Sequence, residues 1–333
     1  MRVIASLLVR PRAWWYNKVP LSVTLLLLLI DGRALSAGVV AAFALVVLTV
    51  CAVGNYGYAL NELFDVDEDA RSGRTNAAAA LGPLRMWTII GVSALLAEIF
   101  ATAAAGVPGA LLTLLELGLP LAYSVPPLRI KERTWLGVAA DGLAAHVYPA
   151  VLALLAVAHL VLRPGTAVLA VSVVVWSAAA GLRGILSHQL HTAERDRTAG
   201  LTTVVHDLGH ERLERAVVVV VLPLEAVAFG AALVACNGGA ILWFGVALYL
   251  AYEAFKTLSG RFLVTAFRPQ GQAYLPLVEE SFYKAWGPLV LALDAARVDV
   301  AYVIVVAIYA LLFGPHLQSE THRLRAVIAA LSR

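Results

Sequence analysis

Long apolar runs, separated by short polar clusters, dominate this sequence of 333 residues. A bilayer demands about 20 apolar residues for each helix that crosses it, and hydrocarbon tolerates no open sheet edge. The chain is 61% hydrophobic and 14% charged, with a mean hydropathy of +0.82, whereas soluble domains carry roughly 25% charged residues. The sequence therefore predicts an all-α, multi-pass integral membrane protein in contact with membrane lipids.

The apolar runs predict a bundle of about nine helices around a central cavity. The predicted helices are 14–32, 35–63, 85–105, 108–124, 136–160, 165–190, 214–235, 239–256 and 298–314. The segment 282–296 is apolar but short, which is typical of a re-entrant or interfacial helix, and a tenth span is the alternative. This division predicts one transmembrane domain at 1–315 and a basic C-terminal tail at 316–333.

Basic residues gather in alternate loops. The rich loops carry Arg71, Arg74 and Arg85, then Arg129, Lys131 and Arg133, then Arg195, Arg197 and Arg212, then Lys256, Arg261, Arg268 and Lys284. The positive-inside rule places these loops and the N-terminus in the cytoplasm. With nine spans the tail bearing Arg323 and Arg325 would lie outside. Either the tail is an exception to the positive-inside rule, or the predicted number of spans is off by one.

The net charge of +3 is small and dispersed, so it does not form the basic face that nucleic-acid binding requires. Cys51 and Cys236 lie in separate apolar runs without CxxC spacing, which argues against a zinc or redox site. No protein partner is implied.

A polar cluster follows the second apolar run, where the chain reads Asn-Glu-Leu-Phe-Asp-Val-Asp-Glu-Asp over residues 61–69. Asn61, Asp65 and Asp69 recur every four residues, which places them on one helical face. Their oxygens suit Mg²⁺, an ion usually held by one or two carboxylates together with substrate phosphates. A solvated acidic cap is the alternative. It is less favoured because acids at a helix C-terminus oppose the helix dipole unless a cation neutralises them.

Basic residues stand near these acids in the sequence. Arg71 and Arg74 follow the acidic run, and Arg129 and Lys131 follow a Tyr-Ser-Val-Pro-Pro segment at 123–127. Paired prolines end a helix, after which an extended chain would place Arg129 and Lys131 on one side. Arginine donates to phosphate oxygens as a bidentate group, so these positions are candidates to bind a diphosphate. Charge that serves only membrane orientation is the alternative.

These motifs resemble the signatures of the UbiA superfamily of intramembrane prenyltransferases. The first signature, Asn-Asp-x-x-Asp-x-x-x-Asp followed by Arg-Thr, corresponds here to Asn61-Glu62-x-x-Asp65-x-x-x-Asp69, then Arg74-Thr75. Glu62 replaces the usual aspartate, which keeps an oxygen ligand but changes its reach by one methylene. Tyr123 opens a segment similar to the Tyr-Ser-x-Pro-Pro-x-Arg-x-Lys segment of several branches.

The second signature of the superfamily is an Asp-x-x-x-Asp near the end of the sixth helix, followed by a glycine. Asp196 and Gly200 align with the second aspartate and the glycine, whereas Thr192 occupies the position of the first aspartate. A second Mg²⁺ would then depend on Asp196 with Glu194 or His188. A polar patch deep in a span is costly without a function, so His188 is a candidate to contact the acceptor or the phosphate.

The resemblance implies a prenyltransferase that moves an isoprenyl group from a prenyl diphosphate to a lipophilic acceptor, aromatic or other, by Mg²⁺-assisted ionisation at the cytoplasmic side. The implied metal ligands are Asn61, Glu62, Asp65, Asp69 and Asp196. The implied diphosphate-binding residues are Arg71, Arg74, Tyr123, Arg129, Lys131 and Arg183. Asp65, Asp69, Asp196 and Lys131 would be catalytic, and His188, Thr192 and Glu194 would serve the acceptor or the second metal.

Three alternatives stay open at this stage. A UbiA-type terpene cyclase would ionise the same diphosphate without an acceptor, and the altered second motif leaves room for it. A related enzyme would transfer a sugar phosphate to a lipid. A transporter would use intramembrane charges along a substrate path, but the acids here cluster at one end of the predicted bundle rather than at its midplane.

Overall fold

The computed structural model describes residues 8–30, 32–161, 166–198, 202–258, 263–265, 274–276 and 279–331. Almost all of this is helical. The helices are α1 (Pro11–Ile30), α2 (Ala37–Phe64), α3 (Val66–Arg71), α4 (Ala77–Leu81), α5 (Pro83–Ser124), α6 (Thr134–Gly142), α7 (Tyr148–Val161), α8 (Thr166–Thr198), α9 (Val204–Leu208), α10 (His210–Ala216), α11 (Leu222–Ala235), α12 (Ala240–Leu258), α13 (Gly287–Ala295), α14 (Tyr302–Leu312) and α15 (Gly314–Leu331).

Shorter elements join these helices. Ile130–Glu132 forms a 3₁₀ turn, and wider π turns at Leu143–Val147, Val217–Val221 and Glu279–Trp286 lead into α7, α11 and α13. Two three-residue strands, β1 (Leu263–Thr265) and β2 (Tyr274–Pro276), pair in parallel.

Six helices of the described chain are long and apolar enough to cross a membrane: Ala37–Phe64, Pro83–Ser124, Thr134–Ala158, Thr166–Glu194, His210–Ala235 and Ala240–Leu258. Large apolar side chains on their outer faces stay exposed, as at Leu115 and Val234, which are each 73% accessible. Water would make such a surface unstable, whereas lipid makes it favourable. The predicted all-α, multi-pass membrane bundle is confirmed.

The predicted helices 85–105 and 108–124 are the two limbs of α5. The chain turns between them at Gly106, whose φ of 63° and ψ of −150° are open essentially to glycine alone. Both limbs lie against α2, because Asn55 donates to Ser93 in the first limb and Tyr56 donates to the carbonyl of Leu117 in the second. The α5 hairpin therefore forms one wall of the bundle together with α2.

The segment predicted as re-entrant or interfacial is a helix inside the bundle. Glu279–Trp286 and α13 run past α1, where Thr24 donates to the carbonyl of Tyr283 at 2.9 Å. Further along, the buried Asp294 carboxylate accepts from the backbone N–H groups of Gly239 and Leu242, at the start of α12. This segment therefore packs inside the bundle, against α1 and against the start of α12.

Helix α14 returns along α13, since the hydroxyl of Tyr309 donates to the carbonyl of Lys284. Phe313 stacks on Trp15, and His316 contacts the carbonyl of Tyr16 at 2.8 Å. The chain then bends by 79° into the final helix. The tail thus begins beside the N-terminal half of α1.

Candidate active site

A cavity of about 440 Å³ lies between α1, α2, α5, α8 and the α6–α7 segment. Part of its wall is apolar, with Val50, Val53 and Leu119 among the lining residues. Four residues predicted for the site line it, namely Asn61, Arg74, Tyr123 and His188. The other predicted residues lie outside the lining, and several of them form ion pairs beside the Asn61 end.

The acidic run turns at its midpoint. Asp65 leaves the helical conformation, with φ −108° and ψ 11°, so α2 ends at Phe64 and α3 begins at Val66. The backbone N–H of Asp69 donates to the carbonyl of Asp65 at 2.8 Å, which continues the four-residue spacing across the break. Glu62, Asp65 and Asp69 are all buried, with 3%, 7% and 5% of each residue exposed. Buried carboxylates need cationic or hydrogen-bonding partners.

Asp65 and Glu68 share two cationic partners from the segment after α5. The ammonium of Lys131 lies 2.5 Å from Asp65 and 3.4 Å from Glu68, and the Arg129 guanidinium lies 2.7 Å from Glu68 and 3.4 Å from Asp65. Burial raises the pKa of Asp65 above its ordinary value, and the hydrogen bond from Lys131 opposes that shift. This four-residue cluster joins two loops that are distant in sequence.

The backbone that carries these cations is not extended, as the prolines had predicted. Arg129 adopts a left-handed conformation with φ 34°, and Ile130–Glu132 forms a 3₁₀ turn. The turn still directs Arg129 and Lys131 to the same acids, so the predicted grouping of the two cations holds although the predicted backbone is wrong.

Glu62 and Asp69 form a second cluster with residues from three segments. Arg10 pairs with Glu62 and lies 4.0 Å from Asp69, and Arg74 lies 3.5 Å from Asp69. Asn76 donates to the Asp69 carboxylate at 2.9 Å and to the backbone carbonyl of Glu62 at 2.8 Å. The backbone of Glu62 is therefore hydrogen-bonded to the loop that follows α3. The Asp69 carboxylate faces two guanidinium groups.

Asn61 connects these clusters to the cavity. It lines the cavity, and its side-chain oxygen accepts from Ser124 at 3.3 Å. Within the described residues, no three His, Cys, Asp or Glu side chains converge into a metal site. Mg²⁺ does not require three converging protein ligands, because it usually keeps several waters and is bound by one or two carboxylates plus substrate phosphates. The amide of Asn61 and the carboxylates of Asp65 and Asp69 fit that donor set.

The second motif is arranged around Thr192. This buried hydroxyl lies 2.6 Å from the Asp196 carboxylate, to which it donates. Glu194 instead pairs with Arg197 at 2.7 Å on the exposed side of α8. Glu194 is therefore directed away from the cavity that His188 lines, and Gly200 lies outside the described residues.

Two predicted diphosphate-binding residues lie elsewhere. Arg183 is 2% exposed and donates twice to Glu225 of α11, at 2.6 and 3.1 Å, which makes a buried ion pair between α8 and α11. Arg71 is exposed and donates to the carbonyl of Asp67. Neither side chain lines the cavity.

Five charged residues at or near the cavity had no predicted role. Arg10, Lys18, Glu116 and Asp141 line the cavity, and Glu68 completes the Lys131 cluster. The sequence signal for Glu116 and Asp141 is a lone acid inside an apolar run, a costly placement that marks function. Arg10 carries no such signal, because its pairing with Glu62 depends on how α1 packs against α2.

An apolar bundle that encloses a cavity with paired acids and bases at one end defines an integral membrane protein with an intramembrane binding site. The sequence profile of the UbiA prenyltransferase family matches residues 19–262. The chain belongs to that family. No curated protein sequence matches it at a significant level.

Solved structures share the fold. An apo UbiA homologue from Aeropyrum pernix K1 is similar with a TM-score of 0.57 at 16% identity, covering 94% of this chain and 100% of that one. A UbiA homologue from Archaeoglobus fulgidus bound to DMAPP and Mg²⁺ gives 0.58 at 18% identity, with 94% and 98% covered. A UbiA homologue from Archaeoglobus fulgidus bound to GPP and Mg²⁺ gives 0.55 at 19% identity, with 94% and 98% covered.

Proposed function

We propose that this protein transfers an isoprenyl group from a prenyl diphosphate to a lipophilic acceptor, with Mg²⁺ at the Asn61 end of the cavity. The observation that carries the proposal is the cluster of Lys131 and Arg129 with Asp65 and Glu68, beside an apolar cavity in a membrane bundle. Membership of the UbiA prenyltransferase family supports it. So do the Archaeoglobus fulgidus homologues of the same fold, whose structures hold DMAPP or GPP with Mg²⁺.

The acids and the amide at the cavity mouth would hold the metal. Asn61, Asp65 and Asp69 would supply oxygen ligands, and Asp196 of the second motif, whose carboxylate accepts from Thr192, would serve a second ion. Bound Mg²⁺ supplies charge neutralisation for the departing diphosphate. Glu62 forms an ion pair with Arg10 and accepts a hydrogen bond from the Ala77 N–H. Because its carboxylate is already bonded to the protein, we assign Glu62 a structural role.

The basic side chains would bind the diphosphate oxygens. Lys131, Arg129 and Arg74 each lie within 4 Å of an acid of the first motif. When a diphosphate and its metal ion enter, these cations would pair with the diphosphate and the acids would pair with the metal ion. Preorganised cations of this kind stabilise the negative charge that develops as the allylic C–O bond breaks. Tyr123 lines the cavity close to these residues and would form part of the wall of the donor site.

The apolar part of the cavity would hold the isoprenyl group and the acceptor away from water. An allylic carbocation is quenched by water, so a site enclosed by helices favours capture by the acceptor. The basic loops predict that the cavity mouth faces the cytoplasm.

Purified protein in lipid nanodiscs with Mg²⁺ and radiolabelled dimethylallyl, geranyl, farnesyl or longer diphosphates, against a panel of phenolic, quinol and alcohol acceptors, tests the proposal. A prenylated acceptor, identified by mass spectrometry, is the expected product. A cyclic hydrocarbon or alcohol formed without any acceptor would instead identify a terpene cyclase. Intact diphosphate under every condition would refute both enzymes, and flux of a solute across proteoliposomes would then favour a transporter.

A further inference from the structure

One carboxylate of the cavity lies far below the mouth. Glu116 belongs to the second limb of α5, eight residues before Ser124, and Ser124 contacts Asn61 at the level of the first motif. At about 1.5 Å of rise per residue, eight residues place Glu116 roughly 12 Å deeper in the bundle. Helical side chains also tilt toward the helix N-terminus, which is the direction away from the mouth here. Glu116 therefore lies beyond the reach of the diphosphate.

Glu116 is 3% exposed and lines the cavity. Among the described residues, no hydrogen-bond donor or cation contacts its carboxylate. The phenol groups nearby are engaged, since Tyr56 donates to the carbonyl of Leu117 and the Tyr148 hydroxyl pairs with Thr113 at 2.8 Å. A second acid, Asp141, also lines the cavity. Glu116 is thus a buried carboxyl group that faces the cavity without a hydrogen-bond partner among the described residues.

A hydrocarbon chain offers no hydrogen-bond partner to Glu116. A polar group buried against an isoprenyl tail would lose its water and gain no partner, which is a large penalty. A hydroxyl or amine of the ligand removes that penalty, because it donates a hydrogen bond to a Glu116 oxygen. The part of the cavity at Glu116 is therefore matched to a polar donor group.

We infer that Glu116 binds a hydroxyl or amine of the acceptor at the end remote from the atom that is prenylated. The acceptor is then a largely apolar molecule that carries a hydrogen-bond donor. This inference rests on the proposed function and specifies the acceptor class for the same site. Glu116 acts as a specificity residue in it.

Binding of two naphthalene probes tests the inference: 2-naphthol, which carries a hydrogen-bond donor, and 2-methoxynaphthalene, which does not. Equilibrium dialysis uses protein in nanodiscs with Mg²⁺ and a non-ionising thiolo analogue of geranyl diphosphate, after subtraction of empty nanodiscs. We expect 2-naphthol to bind about fivefold more tightly than its methyl ether, because the ether cannot donate a hydrogen bond to Glu116.

Glu116→Leu should remove the preference for 2-naphthol over the ether, whereas Glu98→Leu, which changes another acid of α5 outside the cavity lining, should keep it. Glu116→Gln retains an acceptor oxygen, so it should keep the preference; this variant also covers a folding failure of Glu116→Leu. Equal affinities for the two probes in the unmodified protein, including no measurable binding of either, overturn the inference. So does an unchanged preference in Glu116→Leu.

A separate readout distinguishes this inference from the proposed function. Release of diphosphate from geranyl diphosphate by the unmodified protein, measured with Mg²⁺ and the acceptor panel, reports on the proposed function. If the unmodified protein releases diphosphate while the probes show no preference, only the inference fails. If the unmodified protein releases none with any acceptor, the proposed function fails.

Discussion

The ammonium of Lys131 lies 2.5 Å from the Asp65 carboxylate, although the two residues are 66 positions apart in the chain. Asp65 ends α2, whereas Lys131 lies in the turn between α5 and α6. Neither segment alone forms the cluster. The α5 hairpin brings them together, because both of its limbs pack on α2 and its second limb ends beside Asn61.

Asp65→Asn should reduce prenyl transfer at least 100-fold. The amide keeps the shape of the side chain but removes the negative charge proposed to hold Mg²⁺, and interactions with ionised partners dominate such sites. Turnover of geranyl diphosphate is the measurement. Asp67→Asn is the matched control, since Asp67 is an exposed acid of the same run. Equal losses in the two variants would contradict a specific role for Asp65.

Lys131→Met should raise the KM for the prenyl diphosphate about tenfold or more, because a charge-assisted hydrogen bond to phosphate contributes about 1.5–3 kcal/mol. Arg133→Met, which removes an exposed cation from the same loop, should leave KM within about twofold. Steady-state kinetics over a range of diphosphate concentrations separate the two. A KM for Lys131→Met equal to that of the unmodified protein would remove Lys131 from the diphosphate site.

Chelation should abolish turnover. EDTA in excess over Mg²⁺ removes the ion that neutralises the departing diphosphate, and added Mg²⁺ should restore the rate fully because the ion is held in part by water and by the substrate phosphates. Diphosphate release before and after Mg²⁺ addition is the measurement. Activity that survives chelation and dialysis would argue against a metal-assisted ionisation.

Arg183→Met should destabilise the protein by about 3–5 kcal/mol, because it leaves Glu225 charged and unpaired in the bundle. Replacing both residues, as Arg183→Met with Glu225→Met, should recover most of that loss. Thermal unfolding in detergent measures both effects. A stable Arg183→Met protein with only a raised KM would instead support the diphosphate-binding role predicted from the resemblance.

Gly106→Ala should destabilise the α5 hairpin by about 1–3 kcal/mol, since φ 63° with ψ −150° is strained for any residue with a Cβ. Gly91→Ala is the control: a Cβ there meets open space on a regular part of α5, so the change should be neutral or slightly stabilising. The difference between the two thermal midpoints is the measurement. Equal thermal midpoints for the two variants would show that the turn at residue 106 accommodates a Cβ without loss of stability.

The sequence by itself determined the membrane class and most helix positions. Hydropathy is a local property, and lipid leaves a run of about 20 apolar residues few choices besides a helix. The polar motifs were also local, so Asn61, Arg74, Tyr123 and His188 could be predicted for the site and do line the cavity. The spacing of the prolines predicted where α5 ends, although not the left-handed turn that follows.

Tertiary structure decided the partners of each charge. Arg183 and Lys131 are both cations predicted to bind diphosphate, yet Arg183 pairs with Glu225 inside the bundle while Lys131 pairs with Asp65 beside the cavity. Arg10 and Glu116 were not predicted at all, and both line the cavity. The physical reason is range: helix formation depends on neighbours within a few residues, whereas the energy of a buried charge depends on which distant segment packs against it.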